Sequence, residues 1–258
     1  MKKVVLIGAG RLAWHLGPAL KKAGYTIIQV LGRDPENTFE LAQNLDAEAI
    51  LDWGKIDPES DFYFLALPDQ VLWNISSLIS LRNRFFIHCS GGSPIQAISG
   101  LGNSLGVLYP LQTFSKEIEL DFSRIPLCLE SSSPELGKIL NTLAQSLSEF
   151  VYEMNSEKRA ILHLSAVFAN NFTNHLIGIA ENIVEKEEIS VQILFPLIAE
   201  TVRKVFILGP QKSQTGPALR NDTQTQNRHL ELLASDPELQ RIYKDLSLDI
   251  YKKNNHGS

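Results

Sequence analysis

The chain has 258 residues, 44% hydrophobic and 21% charged, which suffices for a packed core and for two domains. Its formal net charge of -5 excludes a general nucleic-acid binder, which carries a basic excess. The two cysteines, Cys89 and Cys128, sit in apolar strand-like runs, read as buried free thiols, and imply no disulfide scaffold.

In chain order, KKVVLIGAG is a buried strand closed by glycines. Its apolar run is short and ends without a cleavage site, so it is not read as a signal peptide. No segment is long and apolar enough to cross a bilayer, and a cytoplasmic, soluble protein is expected. RLAWHLGPALKKAG has helical spacing through Leu12, Leu16 and Leu20 and stops at Gly24. Pro18 inside it predicts a kink or a tolerated distortion. YTIIQVLG is a second strand and PENTFELAQNL a short helix. SDFYFLALP, RFFIHCSGG, SLGVLYPLQTF, IPLCLES and EFVYEM continue the strands. QVLWNISSLISL, SPIQAISGLG and SPELGKILNTLAQSLS supply helical pieces between them. Such alternation predicts βαβ units and a doubly wound, mostly parallel Rossmann sheet.

The pattern changes near Met154, after which strand signals vanish. Residues 1–153 are therefore expected to form an α/β domain and residues 154–258 an all-α domain. The helices expected there are one long helix from an N-cap at Ser156, one kinked or broken at Pro196, one opening at Gly216 and Pro217, and a last one from DPELQRIY onward. The polar tail KKNNHGS is expected to fray.

The chemistry-bearing motif comes first. GAGRLA, residues 8–13, follows a strand and opens a helix. Gly8 permits the tight turn, Gly10 lets the backbone approach a pyrophosphate, and Ala13 takes the small third position where helix packs on strand. Arg11 and Leu12 complete the turn, whose free N–H groups and helix dipole favour phosphate. About 20 residues on, where an NAD enzyme carries an acid, stand Gly32 and Arg33. Arginine without an acid suits a 2′-phosphate and points to NADP (NADPH). Such a charge-assisted contact is worth about 1.5–3 kcal/mol. Arg33 could otherwise be a solvated surface residue. Asp34 could cap the next helix or accept from a ribose.

Two more loops follow strand ends, where doubly wound sheets bind ligands. Leu67, Pro68 and Asp69 lie in one, and Ser90 and Gly91 in the other; both are candidates for the ribose and nicotinamide. Asp69 could instead cap a helix. His88 and Cys89 are neighbours in a strand and point to opposite faces, so they form no dyad, and a structural role suits His88. The six histidines and the cysteines show no metal-ligand spacing.

In the helical half, His163, Asn170 and Asn174 fall within about 40° of one another at ~100° per residue. The stripe either satisfies itself at a helix interface or forms one wall of an active site, with His163 as proton donor and the asparagines orienting substrate. Phe168, Phe172 and Leu176 lie elsewhere on the wheel and can pack. In TGPALRND, Arg220 shares a helical face with Thr223, Gln224 and Asn227, and suits a carboxylate or phosphate. Asp222 lies on another face with Gln226 and His229.

With IGAGRLAWHLGPAL, LALPD, HCSGG, YPLQTFS, HLSAVFANNF and above all TGPALRNDTQTQNRHLELL on the page, the whole chain resembles a little-characterised family of NADP oxidoreductases. Its members join a Rossmann-like NADP-binding domain to a helical domain of unknown function and are similar to deazaflavin-linked NADP oxidoreductases. More distant likeness runs to pyrroline-5-carboxylate reductases and β-hydroxyacid dehydrogenases. That likeness implies a homodimer through the helical domain and a site between the domains. It does not supply the dehydrogenases' lysine followed four residues later by asparagine, because His163 and Val167 stand at that spacing. The resemblance implies an NADPH-dependent reductase or dehydrogenase of a small polar, anionic metabolite, with His163, Asn170 and Arg220 at the chemistry. Two other readings compete: a non-catalytic NADP(H)-binding redox sensor, favoured by the absent Lys–Asn pair, and an S-adenosylmethionine methyltransferase, disfavoured by the missing acid near Arg33. No nucleic-acid, membrane or metal partner is expected.

Overall fold

The computed structural model describes residues 2–255 and divides into two compact units, up to His175 and from Leu176 on. The first unit holds an eight-stranded sheet in the order β3-β2-β1-β4-β5-β6-β7-β8. The strands are β1 (Lys3–Ile7), β2 (Thr26–Leu31), β3 (Glu48–Ile50), β4 (Phe62–Leu65), β5 (Phe86–His88), β6 (Leu105–Pro110), β7 (Leu127–Ser131) and β8 (Val151–Glu153). Every neighbouring pair is parallel except β6 with β7, where Tyr109 stands opposite Cys128. Order reverses between β1 and β4, the place at which such sheets bind ligands beyond the strand ends.

The strands are apolar on both faces because both are covered. One layer packs Val4, Leu6, Phe64 and Ile87 against α1 (Ala13–Lys22), α2 (Pro35–Leu45) and α5 (Pro134–Leu147). The other packs Val5, Ile7, Tyr63 and Phe86 against Leu72, Ile75, Ile95 and Ile98. Cys89 belongs to the first layer and Cys128 to the second; both are buried and free.

Several expectations are sharpened or corrected. α1 runs unbroken through Pro18, which is tolerated rather than kinking. Its close seat on α2 leaves no room at Gly17, where a Cβ would stand 2.6 Å from Leu45 Cδ1. The helix expected across QVLWNISSLISL is two single turns, α3 (Asp69–Leu72) and α4 (Ile75–Leu78), while residues 95–101 form a 3-10 helix. The short strand β3 is an addition to the expected elements; its three residues carry too little alternation to be read.

The long helix also differs. Its N-cap is Asn155, which accepts from the Lys158 N–H at 3.0 Å, whereas Ser156 turns its hydroxyl to Glu130. α6 (Ser156–Ala166) then passes through a π-helical stretch, Val167–Phe172, into α7 (Thr173–Glu185).

The second unit is helical. Pro196 opens α8 (Phe195–Leu208) after a 3-10 turn, so it starts a helix rather than kinking one. α9 (Pro210–Ser213), α10 (Thr223–Leu232) and α11 (Pro237–Asn255) complete it. The tail expected to fray is helical through residue 255; residues 256–258 lie outside the described residues. Among the described residues no helix is long and apolar enough to cross a membrane.

Candidate functional site

Four loops at the carboxyl ends of β1, β2, β4 and β5 build the candidate site. The first turn contains Gly8 at φ +118, where a Cβ would stand 2.2 Å from the Ala66 backbone oxygen. Only glycine serves there, on both counts. A Cβ at Gly10 would meet nothing within 4 Å, so that backbone is open to a ligand. Leu12 is the N-cap of α1 and no side chain caps it. Trp14 N–H donates to the Gly10 carbonyl and His15 N–H to that of Leu12, so it is the earlier N–H groups of the turn that are left to a bound anion. Ala13 is fully buried, as its packing position requires.

A cavity of about 270 Å³ opens between the loops after β1, β2 and β4, lined by Gly8, Gly10, Gly32, Arg33, Leu67 and Pro68 among others. Gly32 explains the missing acid. A Cβ there would stand 2.0 Å from Thr38 Oγ1 and 3.1 Å from Ala9 Cβ, so no carboxylate fits. Arg33 is exposed at the cavity wall, free to meet a phosphate. Asp34 caps α2: its carboxylate accepts from the Glu36 N–H at 3.1 Å and the Asn37 amide at 2.6 Å. The turn, the uncapped helix end and the arginine fit a dinucleotide carrying a 2′-phosphate. A larger cavity of about 810 Å³ lies at the other end of the sheet, beside β7, β8 and α5, away from the glycine turns.

The second pole of the site is the 90–93 loop after β5. Ser90 Oγ accepts from the Gly92 and Ser93 N–H groups and so folds the loop back on itself. A Cβ at Gly91 would stand 2.5 Å from Tyr109 Cζ and 2.8 Å from His163 Nδ1. A Cβ at Gly92 would stand 3.2 Å from Asp69 Oδ2 and 3.9 Å from His163 Nε2. Asp69, which opens α3 behind the Pro68 N-cap, thus reaches the same spot as His163. Tyr109 OH and His163 Nδ1 are 3.1 Å apart, with ring planes 78° apart. Burial, aided by Cys128, pushes the Tyr109 phenol up to about 12 despite the opposing Arg159 charge.

Arg159 fixes this arrangement. It is fully buried one helical turn before His163, pairs with Glu130 on β7, and donates to the Ser93 carbonyl at 2.7 Å. One guanidinium therefore ties α6 both to the sheet and to the glycine loop. His88 is buried, and burial, with the Arg159 charge second, pulls it down to about 3, so it stays neutral. Its Nδ1 accepts from the Ser90 N–H at 3.2 Å, which supports the loop. This is a structural role, and Cys89 points into the opposite core layer.

The helical stripe does not survive as a wheel. The π stretch changes the residues per turn between His163 and Asn174, so the ~100° step fails there. His163 is half-buried at the loop, while Asn170 and Asn174 are exposed. Phe168 and Phe172 stack edge to face at 4.9 Å but stay exposed. Arg220 lies in a turn, not in a helix: Asn221 has φ 52, and α10 starts at Thr223 with Asp222 as its N-cap. The face shared with Thr223, Gln224 and Asn227 is lost with it. Asp222 accepts from Thr225 N and Oγ1, and those bonds hold its carboxyl below the usual range. Among the described residues no metal-binding group of side chains occurs.

Sequence reasoning misses Tyr109 and Arg159. Tyr109 lies in YPLQTF, a stretch that carries only family resemblance, and a charged residue amid ILHL-like spacing reads as surface.

Residues 3–92 match the family described as coenzyme F420-dependent NADP oxidoreductase, and residues 125–250 match a domain of unknown function, DUF2520. A Bacteroides fragilis protein, provisionally described as an NADP oxidoreductase, is 40% identical over 97% of this chain and 98% of its own, with a TM-score of 0.90. An imine reductase from Myxococcus stipitatus in complex with NADP+ shares the fold at 17% identity, covering 98% and 93% of the two chains, TM-score 0.62. A 1-pyrroline-5-carboxylate reductase from Streptococcus pyogenes does so at 15% identity, covering 98% of both chains, TM-score 0.62. Comparison with curated proteins gives no match.

Proposed function

This chain belongs to the NADP oxidoreductase family of the Bacteroides fragilis protein, and we propose that it moves a hydride between NADP(H) and a small polar, anionic metabolite. It is an oxidoreductase-type Rossmann protein and its cofactor is NADP(H). The single observation that carries the reaction is the His163 ring seated on Gly91 and Gly92 beside Asp69, at the strand ends next to the nucleotide turn.

The bound nicotinamide would supply the hydride. The chain's own residues do the rest. Gly8, whose own N–H donates to the Leu31 carbonyl, makes the turn, and Gly10, Arg11, Leu12 and Ala13 present backbone N–H groups and a helix N-terminus to the pyrophosphate. Arg33 pairs with the 2′-phosphate. Leu67, Pro68, Asp69, Ser90 and Gly91 border the ribose and the nicotinamide. His163 gives a proton to the substrate as the hydride arrives, the task for which imidazole is suited. Asn170 orients substrate, and Arg220 is read as a residue for an anionic group, which its guanidinium suits by a charge-assisted fork.

The proposal includes a homodimer. Phe206 is 84% exposed and Ile193 69%, with Leu197 and Ile207 both at 64%, an apolar surface suited to a second copy. The free thiols suit a reducing compartment, so a cytoplasmic location is part of the same reading.

The test is binding followed by single turnover. NADPH should bind more tightly than NADH, and Arg33→Asp should shift the ratio toward NADH by about ten- to a hundredfold. His163→Ala should slow single-turnover NADPH oxidation by about 10²–10⁴-fold on any metabolite found to support it. An unchanged ratio in Arg33→Asp sinks the 2′-phosphate role, and full turnover in His163→Ala sinks the proton role. NADPH binding with no oxidation by carbonyl or imine acids would favour the redox sensor instead.

A further inference from the structure

We propose that Tyr109 sets the tautomer of His163: its phenol donates to Nδ1, so the neutral ring carries its proton on Nε2, on the side of Gly92 and Asp69. The inference rests on the reading of His163 as the proton donor. As Nε2 gives its proton to the substrate, the Tyr109 proton moves along the hydrogen bond to Nδ1. The ring thus stays neutral, and the phenol is left as phenolate until it is reprotonated. Tyr109 is a positioning residue for His163.

The geometry leaves one consistent hydrogen-bond pattern. The phenol oxygen and Nδ1 are 3.1 Å apart, and the two rings meet edge-on at 5.8 Å between centroids. Among the described residues the phenol makes no other hydrogen bond that would take its proton. Were Nδ1 to carry the hydrogen and donate it, the Tyr109 proton would be left without an acceptor in a ring only 9% exposed. Burial holds the phenol protonated through ordinary working pH, so that proton is always present. The bond made by one imidazole nitrogen decides the state of the other.

The far side of the ring agrees. His163 Nε2 and Asp69 Oδ2 both lie within 4 Å of the point where a Gly92 Cβ would stand. The Asp69 charge faces the same space above Gly92 as Nε2, the side from which the Tyr109 bond turns the ring's proton outward. The loop also locks the pair mechanically. Gly91 has no Cβ, and the space one would need is taken by Tyr109 Cζ and His163 Nδ1. The two rings therefore touch the loop backbone directly, and neither can swing without moving the other. The glycines of this loop are needed for ring placement as much as for nucleotide approach.

The experiment reads the tautomer without needing turnover. Full-length protein carrying ¹⁵N-histidine is examined by NMR about two pH units above an ordinary imidazole pKa, and the His163 signals are assigned by their loss in His163→Gln. The expected result is a single neutral form with the proton on Nε2, giving way to mixed tautomers in Tyr109→Phe. That variant keeps the ring and its packing, and its kcat should fall about ten- to a hundredfold with a smaller change in KM. A wild-type ring protonated on Nδ1 would overturn the proposal, as would an unmixed Nε2 form in Tyr109→Phe. Should no metabolite be reduced while the tautomer responds as expected, the functional reading fails and the Tyr109 assignment stands.

Discussion

A methyl group is enough to disturb this site, because Gly91 touches two rings at once. Gly91→Ala would drive a Cβ into Tyr109 Cζ and His163 Nδ1, both nearer than 3 Å. Overpacking of this kind costs about 1–3 kcal/mol, and urea denaturation of the variant should read a loss in that range. NADPH affinity should change less than turnover, since the pyrophosphate turn and Arg33 lie at the ends of other strands and Gly91 borders only the ribose and nicotinamide. His88 offers a pH test with a definite sign. Its folded value, about 3, lies below the ordinary imidazole value, so the unfolded chain binds the extra proton. Stability is therefore unaffected well above pH ~6.5 and falls by about 1.4 kcal/mol per unit as pH drops below it. A His88→Asn variant should lose less stability than the wild type between about pH 6.5 and pH 5. Equal losses in both would remove His88 as the cause. At this scale the glycine turn and the neighbouring Arg33 are legible because they belong to one local pattern, whereas the helical stripe that singled out His163 is undone by the π stretch. Tyr109 is not legible, since it stands 54 residues from His163 and only the folded sheet brings them together.

Elements are legible where periodicity is long and caps are local. PENTFELAQNL matches α2 end to end, because Asp34 and Pro35 mark its start and its apolar spacing is regular. Errors arise where one backbone bond pattern replaces another within the same composition. The π stretch Val167–Phe172 has the polarity of an ordinary helix, so nothing in its residues announces a wider turn. TGPALRND misleads for the opposite reason: its Gly-Pro pair imitates a helix start, while Asp222 is the true cap. Asn155, one residue before the expected Ser156, caps α6. Asn155→Ala should therefore cost about 1 kcal/mol, with Ser156→Ala acting instead through the Glu130 and Ile95 contacts. Comparing the two variants in thermal melts, each with and without Glu130→Gln, checks this. Coupling to Glu130 is expected for Ser156→Ala only.

At the scale of the whole molecule, the expected α/β-then-helical layout is what the chain adopts, since strand signals end where β8 does, at Glu153. The apolar exposure on α8 leads to a prediction about assembly. Phe206→Asp should weaken self-association about tenfold or more in analytical ultracentrifugation. A wild-type chain that sediments as a monomer at every concentration would remove the proposed dimer. The Arg159 anchor carries a further consequence, for where the chain can be cut. A fragment ending at residue 153, where the strands stop, would strip Glu130 and the Ser93 carbonyl of their guanidinium partner and leave a half-buried carboxylate unpaired. A fragment ending at His175 keeps the anchor, the Tyr109–His163 pair and the whole nucleotide turn. The shorter piece should aggregate or melt early and the longer one should fold, so the nucleotide domain needs α6 to be complete, although its strands end before that helix begins.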